Sequence, residues 1–296
     1  MSSVSTRTID HIVIRAPDGG LSRATEEFER LGFRVIPGGK HTDGLTANIL
    51  IILSDLSYIE IIAFEHPAEY YKEGTPEYIA RISHQWANKP AGGLVAYSFA
   101  GAPSATPSLA QIINGRLENT GSTYRYQDPV EGGRTRPDGV EMRWVLVKPT
   151  AWEKQVDGMG RPFFCGDITA REIRVPTEKK LHEHSNKATS VAFLRVLVSS
   201  SSFAEKSSQL DAILGAQHTT GPISEWHEWE LSSVAGSAAP RLILTIPDEG
   251  DQKELDFVER YGMGVWGIGF RYERQAQQAE VQSIDALPYI SFVPAA

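Results

Sequence analysis

The order in which hydrophobic periods succeed one another constrains this chain more than any single motif does. A strand at 8–15, a helix at 21–31, a short strand at 33–36 and strands at 45–53 and 57–64 give the order β-α-β-β-β. Pro17, Asp18 and Gly19 turn the chain into the helix, and Gly32 stops it. A helical stretch at 68–88 carrying Trp86 follows. The order then returns as a strand at 93–100, a helix at 106–118, a short strand at 123–126, a long alternating strand at 140–147 and a strand at 162–168. A third series runs through a strand at 190–198, a helix at 203–214, strands at 226–231 and 241–246, a helix at 251–261 and a strand at 265–272. The units share element order rather than sequence, and that order predicts an α+β fold of repeated βαβββ units. The expected organisation is a paired unit at 8–168, a polar linker at 169–187, a degenerate third unit at 188–273 and a C-terminal tail at 274–296.

Composition narrows the function classes. With 41% hydrophobic and 22% charged residues, the 296-residue chain has an ordinary globular make-up. A net charge of -8 with a pI near 5.5 argues against nucleic acid and against an anionic membrane surface as partners. Cys165 is the single cysteine, so neither an internal disulfide nor a cysteine-rich zinc cluster can form. The opening residues Met1–Arg7 lack the pattern of a signal peptide, and no segment reaches the roughly 20 apolar residues of a membrane span. The expectation is a soluble, cytoplasmic monomer or homodimer that takes a small-molecule substrate.

The stretch Gly38–Phe64 concentrates the chemistry. His41 and Asn48 flank a glycine turn, and the second apolar strand that follows carries Glu60 at its centre, in Tyr58-Ile-Glu-Ile-Ile62. A carboxylate inside an apolar strand is costly unless something uses it. The same holds for His11 in Ile9-Asp-His-Ile-Val-Ile14, far away in sequence. Plainer roles compete at each position. His11 could bond a backbone carbonyl at a strand edge, Glu60 could pair with Arg15 or Arg34, His41 could be a surface turn residue, and Asn48 could stabilise the hairpin.

These residues resemble the glyoxalase-like branch of the vicinal oxygen chelate superfamily. The resemblance rests on His11 in the first strand, Glu60 in the fourth, and the run Gly38-Gly39-Lys40-His41, Gly44 and Asn48. In the second unit it rests on Gly133-Arg134-Thr135-Arg136-Pro137-Asp138-Gly139, Arg143-Trp144 and Arg161-Pro162-Phe163-Phe164-Cys165. It implies curved half-barrel sheets and one divalent metal (Fe, Zn, Mn or Ni) gripped by the first and fourth strands of each unit. His11, Glu60 and Asp167 are the candidate ligands, an incomplete set, because Leu94–Ser98 offers no His, Asp or Glu and Gly166 stands where a histidine is expected.

The preferred expectation is therefore proton transfer of the isomerase or lyase type on a small oxygenated metabolite, with or without a metal. Glu60, His11, His41 and Arg143 are the candidate catalytic residues. Arg134, Asn48, Tyr97 and Trp144 are the candidate substrate contacts. A metal-dependent dioxygenase or glyoxalase-type enzyme and a non-catalytic small-molecule binder are the alternatives. Cys165 is expected to pack as a small apolar residue, and His182 and His184 to lie in a solvated linker.

Overall fold

Strand alternation sorts the side chains of this chain onto two faces, and the sheets that result set up both the core and the site. The computed structural model describes residues 4–135, 138–150, 157–235, 239–273, 282–284 and 287–295. Arg136 and Pro137 lie outside the described residues. The elements of the first half are β1 (Ile9–Arg15), α1 (Leu21–Arg30), β2 (Ile36–Lys40), β3 (Thr46–Ile52), β4 (Tyr58–Phe64), α2 (Pro76–Ser83), β5 (Gly93–Ala100), α3 (Leu109–Glu118), β6 (Val130–Thr135), β7 (Glu141–Val147), β8 (Phe163–Asp167) and α4 (Arg171–Arg174). Those of the second half are β9 (Ala188–Val198), α5 (Phe203–Leu214), β10 (Thr219–Thr220), β11 (Trp226–Glu230), β12 (Arg241–Thr245), α6 (Gln252–Tyr261), β13 (Met263–Tyr272), β14 (Gln282–Ile284) and β15 (Leu287–Pro294).

The fold is α+β, with two curled sheets. The first has the order β2-β3-β4-β1-β5-β8-β7-β6 and the second β10-β11-β12-β9-β13-β15-β14. In the first sheet β1 pairs parallel with β4 and antiparallel with β5, and β5 pairs parallel with β8, so two βαβββ units meet back to back at β1 and β5. The second sheet repeats the arrangement. There β9 to β12 form a full unit, and β13, β15 and β14 occupy the places that β5, β8 and β7 hold in the first. Among the described residues of the expected C-terminal tail, β14 and β15 cover what would otherwise be the open edge of β13, and unpaired sheet edges invite aggregation.

Alternation decides what each face does. Ile12 and Ile14 of β1, Ile59 and Ile61 of β4, and Tyr97 and Phe99 of β5 point to one core. α1, α3 and α5 and the Leu194, Val196, Ile268 and Phe270 side of the second sheet close that core. The opposite face of the first sheet carries His11, Glu60 and Asn48 among Ile62, Trp144 and Phe163, and it curls around a cavity. The curl is tight enough for the sheet edges to touch. Thr42, just beyond β2, donates from Oγ1 to the Gly133 carbonyl of β6 at 3.3 Å, and Arg134 of β6 reaches Asn48 of β3.

Several local expectations shift for identifiable reasons. Pairing of β2 begins at Ile36 rather than at 33, because Phe33 is committed to the core against Phe28, Phe270 and Phe292. The stretch 123–126 forms only a bridge between Tyr126 and Pro149, since the Asn114 side chain satisfies both backbone groups of Tyr126 at 2.8 and 2.9 Å. The glycine-rich Val130–Thr135 is the strand instead. The helical stretch at 68–88 is confined to a 3-10 turn at Ala68–Tyr70 and to α2. His182 and His184 are buried, not solvated. His182 Nε2 donates to the Pro176 carbonyl at 2.7 Å, and His184 bridges the Arg34 amide and the Ile52 carbonyl.

Candidate active site

The parallel pairing of β1 with β4 sets His11 level with Tyr58 and Val13 level with Glu60, which brings histidine and glutamate to the floor of one cavity of about 230 Å³. His11 Nε2 stands 3.7 Å from Glu60 Oε2. The other ring nitrogen, Nδ1, lies 2.6 Å from Asp10 Oδ2. Asp10 accepts from this Nδ1–H, so Nε2 is the nitrogen that faces the cavity and trades protons there. Tyr58 stacks on the imidazole at 4.7 Å and Phe163 meets it edge-on at 5.3 Å, fixing the ring plane.

Asp10 has no solvent exposure, and a buried carboxylate survives only when it is paired. Burial opposes its ionisation, but the guanidiniums of Arg174 and Arg171, together with His11, outweigh that and hold the carboxyl well below its usual range. Arg174 is the hub of this cluster. It donates to both oxygens of Asp10, to the Tyr58 hydroxyl at 2.6 Å and to both oxygens of Asp167 at 2.6 and 2.8 Å. Arg171 adds bonds to Asp10, to Asp167 and to the Leu56 carbonyl.

A second chain of hydrogen bonds orients His41. The Asp43 carboxylate accepts from Thr46 Oγ1 at 3.1 Å, so Thr46 Oγ1 in turn accepts from His41 Nδ1–H at 2.8 Å. Nε2 of His41 therefore carries its lone pair toward Glu60 Oε1, 3.7 Å away. Burial pushes the Asp43 carboxyl up, but bonds from His84 and from the Leu45 and Thr46 amides prevail and lower it. Asn48 stands between the two groups. Its Nδ2 donates to Glu60 Oε1 at 2.6 Å and to His41 Nε2 at 3.4 Å, while its Oδ1 accepts from Arg134 Nη1 at 3.1 Å. These partners fix the amide orientation, because a guanidinium can only donate and a carboxylate can only accept.

His11, Glu60, His41, Asn48, Arg134 and Trp144 thus line one cavity. Three expected residues do not join them. Tyr97 falls on the core side of β5, where its hydroxyl donates to the Gly160 carbonyl at 2.9 Å, while its neighbour Ala96 belongs to the apolar cluster of Val13, Phe163 and Cys165. Arg143 alternates with Trp144 and faces outward, paired with Glu131 at 2.6 Å and half exposed. Asp167 is held by Arg174 and Arg171 and does not line the cavity. Glu60 pairs with neither Arg15, which bonds Asp18, nor Arg34, which reaches the Glu183 carbonyl. Cys165 does line the cavity, and burial pushes its thiol up to about 12, so it presents a neutral, apolar surface.

The family model described as a glyoxalase-like domain matches residues 9–211. The chain belongs to this family, within the vicinal oxygen chelate superfamily. No curated protein matches the chain. Among solved structures the glyoxalase-like chain is similar to a hypothetical protein from Staphylococcus aureus, with a TM-score of 0.65 at 12% identity, covering 97% of this chain and 99% of that one. It is also similar to a mutant of 4-hydroxymandelate synthase from Streptomyces coelicolor, with a TM-score of 0.52 at 11% identity, covering 91% of this chain and 72% of that one. At such identities these likenesses speak for the fold.

The superfamily's divalent metal can be tested against the residues that this glyoxalase-like chain presents. On β8, Asp167 is spent on two arginines and Cys165 is a neutral thiol. The Glu60 Oε1 and His41 Nε2 lone pairs both receive the Asn48 amide. Among the described residues no three His, Cys, Asp or Glu side chains form a group able to hold a metal ion. His11 Nε2 and Glu60 Oε2 stand side by side, but the described side chains do not complete the ligand set that the metal would need.

Proposed function

We propose that the chain is a proton-transfer enzyme of the isomerase or lyase type acting on a small, enolisable oxygenated metabolite. The observation that carries this reading is the placement of His11 Nε2 3.7 Å from Glu60 Oε2 on the floor of one cavity, with each side chain held from behind. Asn48 engages Oε1 of Glu60 and leaves Oε2 as the oxygen that takes a proton from carbon. His11, protonated at Nε2 with Nδ1–H held by Asp10, delivers a proton to the carbonyl oxygen as the enol forms. Transfer of the Glu60 proton to a different carbon, as an enol O–H returns its proton to His11, completes an isomerisation; departure of a β-substituent that takes the Glu60 proton, as the enol O–H returns its proton to His11, completes an elimination. Arg134 and Lys148, both lining the cavity, place positive charge near the developing oxyanion. The walls of Trp144, Trp86, Phe163, Leu146 and Ile62 exclude water and favour a partly apolar substrate.

The test is wash-in of deuterium from heavy water into a panel of α-hydroxyketones, β-keto acids and cyclic diketones, followed by proton NMR. Exchange on at least one of them should fall by about 100-fold or more in Glu60→Gln, the contribution expected of a positioned general base. Wild-type exchange rates in that variant would refute the assignment.

A further inference from the structure

Asn48 Nδ2, Glu60 Oε1 and His41 Nε2 form a small triangle with sides of 2.6, 3.4 and 3.7 Å. A point equidistant from all three corners lies about 2 Å from each, the distance at which divalent ions bind nitrogen and oxygen. Two corners are lone pairs of the kind a metal takes, and the third is a donor. The rest of the triangle is also built as metal sites are built. The His41 ring is fixed through Thr46 and Asp43, and Glu60 is flanked on its other oxygen by His11, whose ring is fixed by Asp10. Carboxylate-backed imidazoles of this kind orient the ligating nitrogen and raise its basicity.

We propose that this corner of the cavity is a divalent-metal site held closed by one amide group. The hydrogens of Asn48 Nδ2 supply, to Glu60 and His41, the positive charge that an ion would supply, and Asn48 is the residue that keeps the centre metal-free. It rests on the proton-transfer reading only in what it adds to catalysis, namely that Asn48 is a positioning residue that reserves Glu60 Oε2 for the substrate. The claim about metal stands by itself. Exchanging the NH2 for an oxygen, as in Asn48→Asp, turns the third corner into a ligand and keeps the acceptor for Arg134.

Cobalt(II) titration, followed by visible absorption and by calorimetry, tests the proposal without a substrate. Asn48→Asp should take up one equivalent at least ~10-fold more tightly than the wild type, with the d–d bands of a nitrogen- and oxygen-ligated ion. That uptake should vanish on adding His41→Ala or Glu60→Gln. Asn48→Ala, which opens the corner to water without adding charge, should bind more weakly than the aspartate variant and more tightly than the wild type. It serves as the readout if the aspartate variant folds only with metal present. One equivalent of cobalt bound by the wild type through His41 and Glu60 would overturn the proposal, as would folded Asp and Ala variants that both refuse it. Neither result touches deuterium exchange. A wild type that refuses cobalt while Glu60→Gln exchanges normally would remove the proton-transfer reading and leave this one standing.

Discussion

Asp10 shows how much of the site depends on a residue that never reaches the cavity. Its carboxylate fixes the tautomer of His11 and pairs with two guanidiniums, the buried Arg174 and the partly buried Arg171. Removing one partner of such a buried cluster leaves charge uncompensated, so Asp10→Ala should cost about 3–5 kcal/mol, read from the shift in urea midpoint. A loss under about 1 kcal/mol would mean that the arginines find other partners. Residues that project from strands of strong period were legible beforehand. His11, Glu60, Asn48 and Trp144 converge as their alternation demands. Asp10 carries the same signal as Glu60, a carboxylate in an apolar strand, but the adjacent histidine offers it a local partner and conceals its tie to distant arginines. Arg171 and Arg174 gave no such signal, because two arginines in a polar stretch look like solvated charges until Asp10 and Asp167 are placed beneath them.

At the level of elements, the glycines of β2 and β6 decide how closely the cavity walls approach. A Cβ at Gly38 would lie 2.0 Å from Asn48 Oδ1, and one at Gly132 would lie 2.7 Å from Trp144 Nε1. Each glycine is a notch in an edge strand into which a site side chain is laid. Gly38→Ala should therefore cost about 1–3 kcal/mol through overpacking. Adding Asn48→Ala should recover part of that cost, because the offending amide is gone. A double-mutant cycle in urea checks this, and simple additivity of the two losses would show that Asn48 is not what Gly38 accommodates. The Gly132-Gly133 pair gives no strand signal in the sequence. Glycine is a poor strand former in isolation, and the cross-strand indole that favours it here belongs to Trp144, paired directly opposite.

Across the whole molecule, one core joins both sheets and three helices, and the polar stretch between the sheets is tied into it. His184 is the clearest tie: burial pulls its imidazole down from 6.5 to about 4, because the ring has to stay neutral to accept from the Arg34 amide while donating to the Ile52 carbonyl. The unfolded chain binds this proton and the folded chain does not between pH 6.5 and 4. Stability should therefore be full above 6.5, fall as the pH drops through that window and be lost below 4, by on the order of 2–3 kcal/mol. Urea midpoints at pH 7 and pH 4.5 measure it, and His184→Gln should flatten the difference; an equal decline in the variant would assign the effect elsewhere. The described helices include none long and apolar enough to cross a membrane.

Arg174 fastens Asp10, in the first strand of one repeat, to Asp167, at the end of the last strand of the other. A chain assembled by duplication would be expected to tolerate the exchange of one copy for a cousin's. Here a chimaera that swaps either repeat must carry the segment 167–174 with it, or redesign both carboxylate partners, before the imidazole of His11 is held again. The seam between the repeats is a part of the molecule that cannot be exchanged piecemeal.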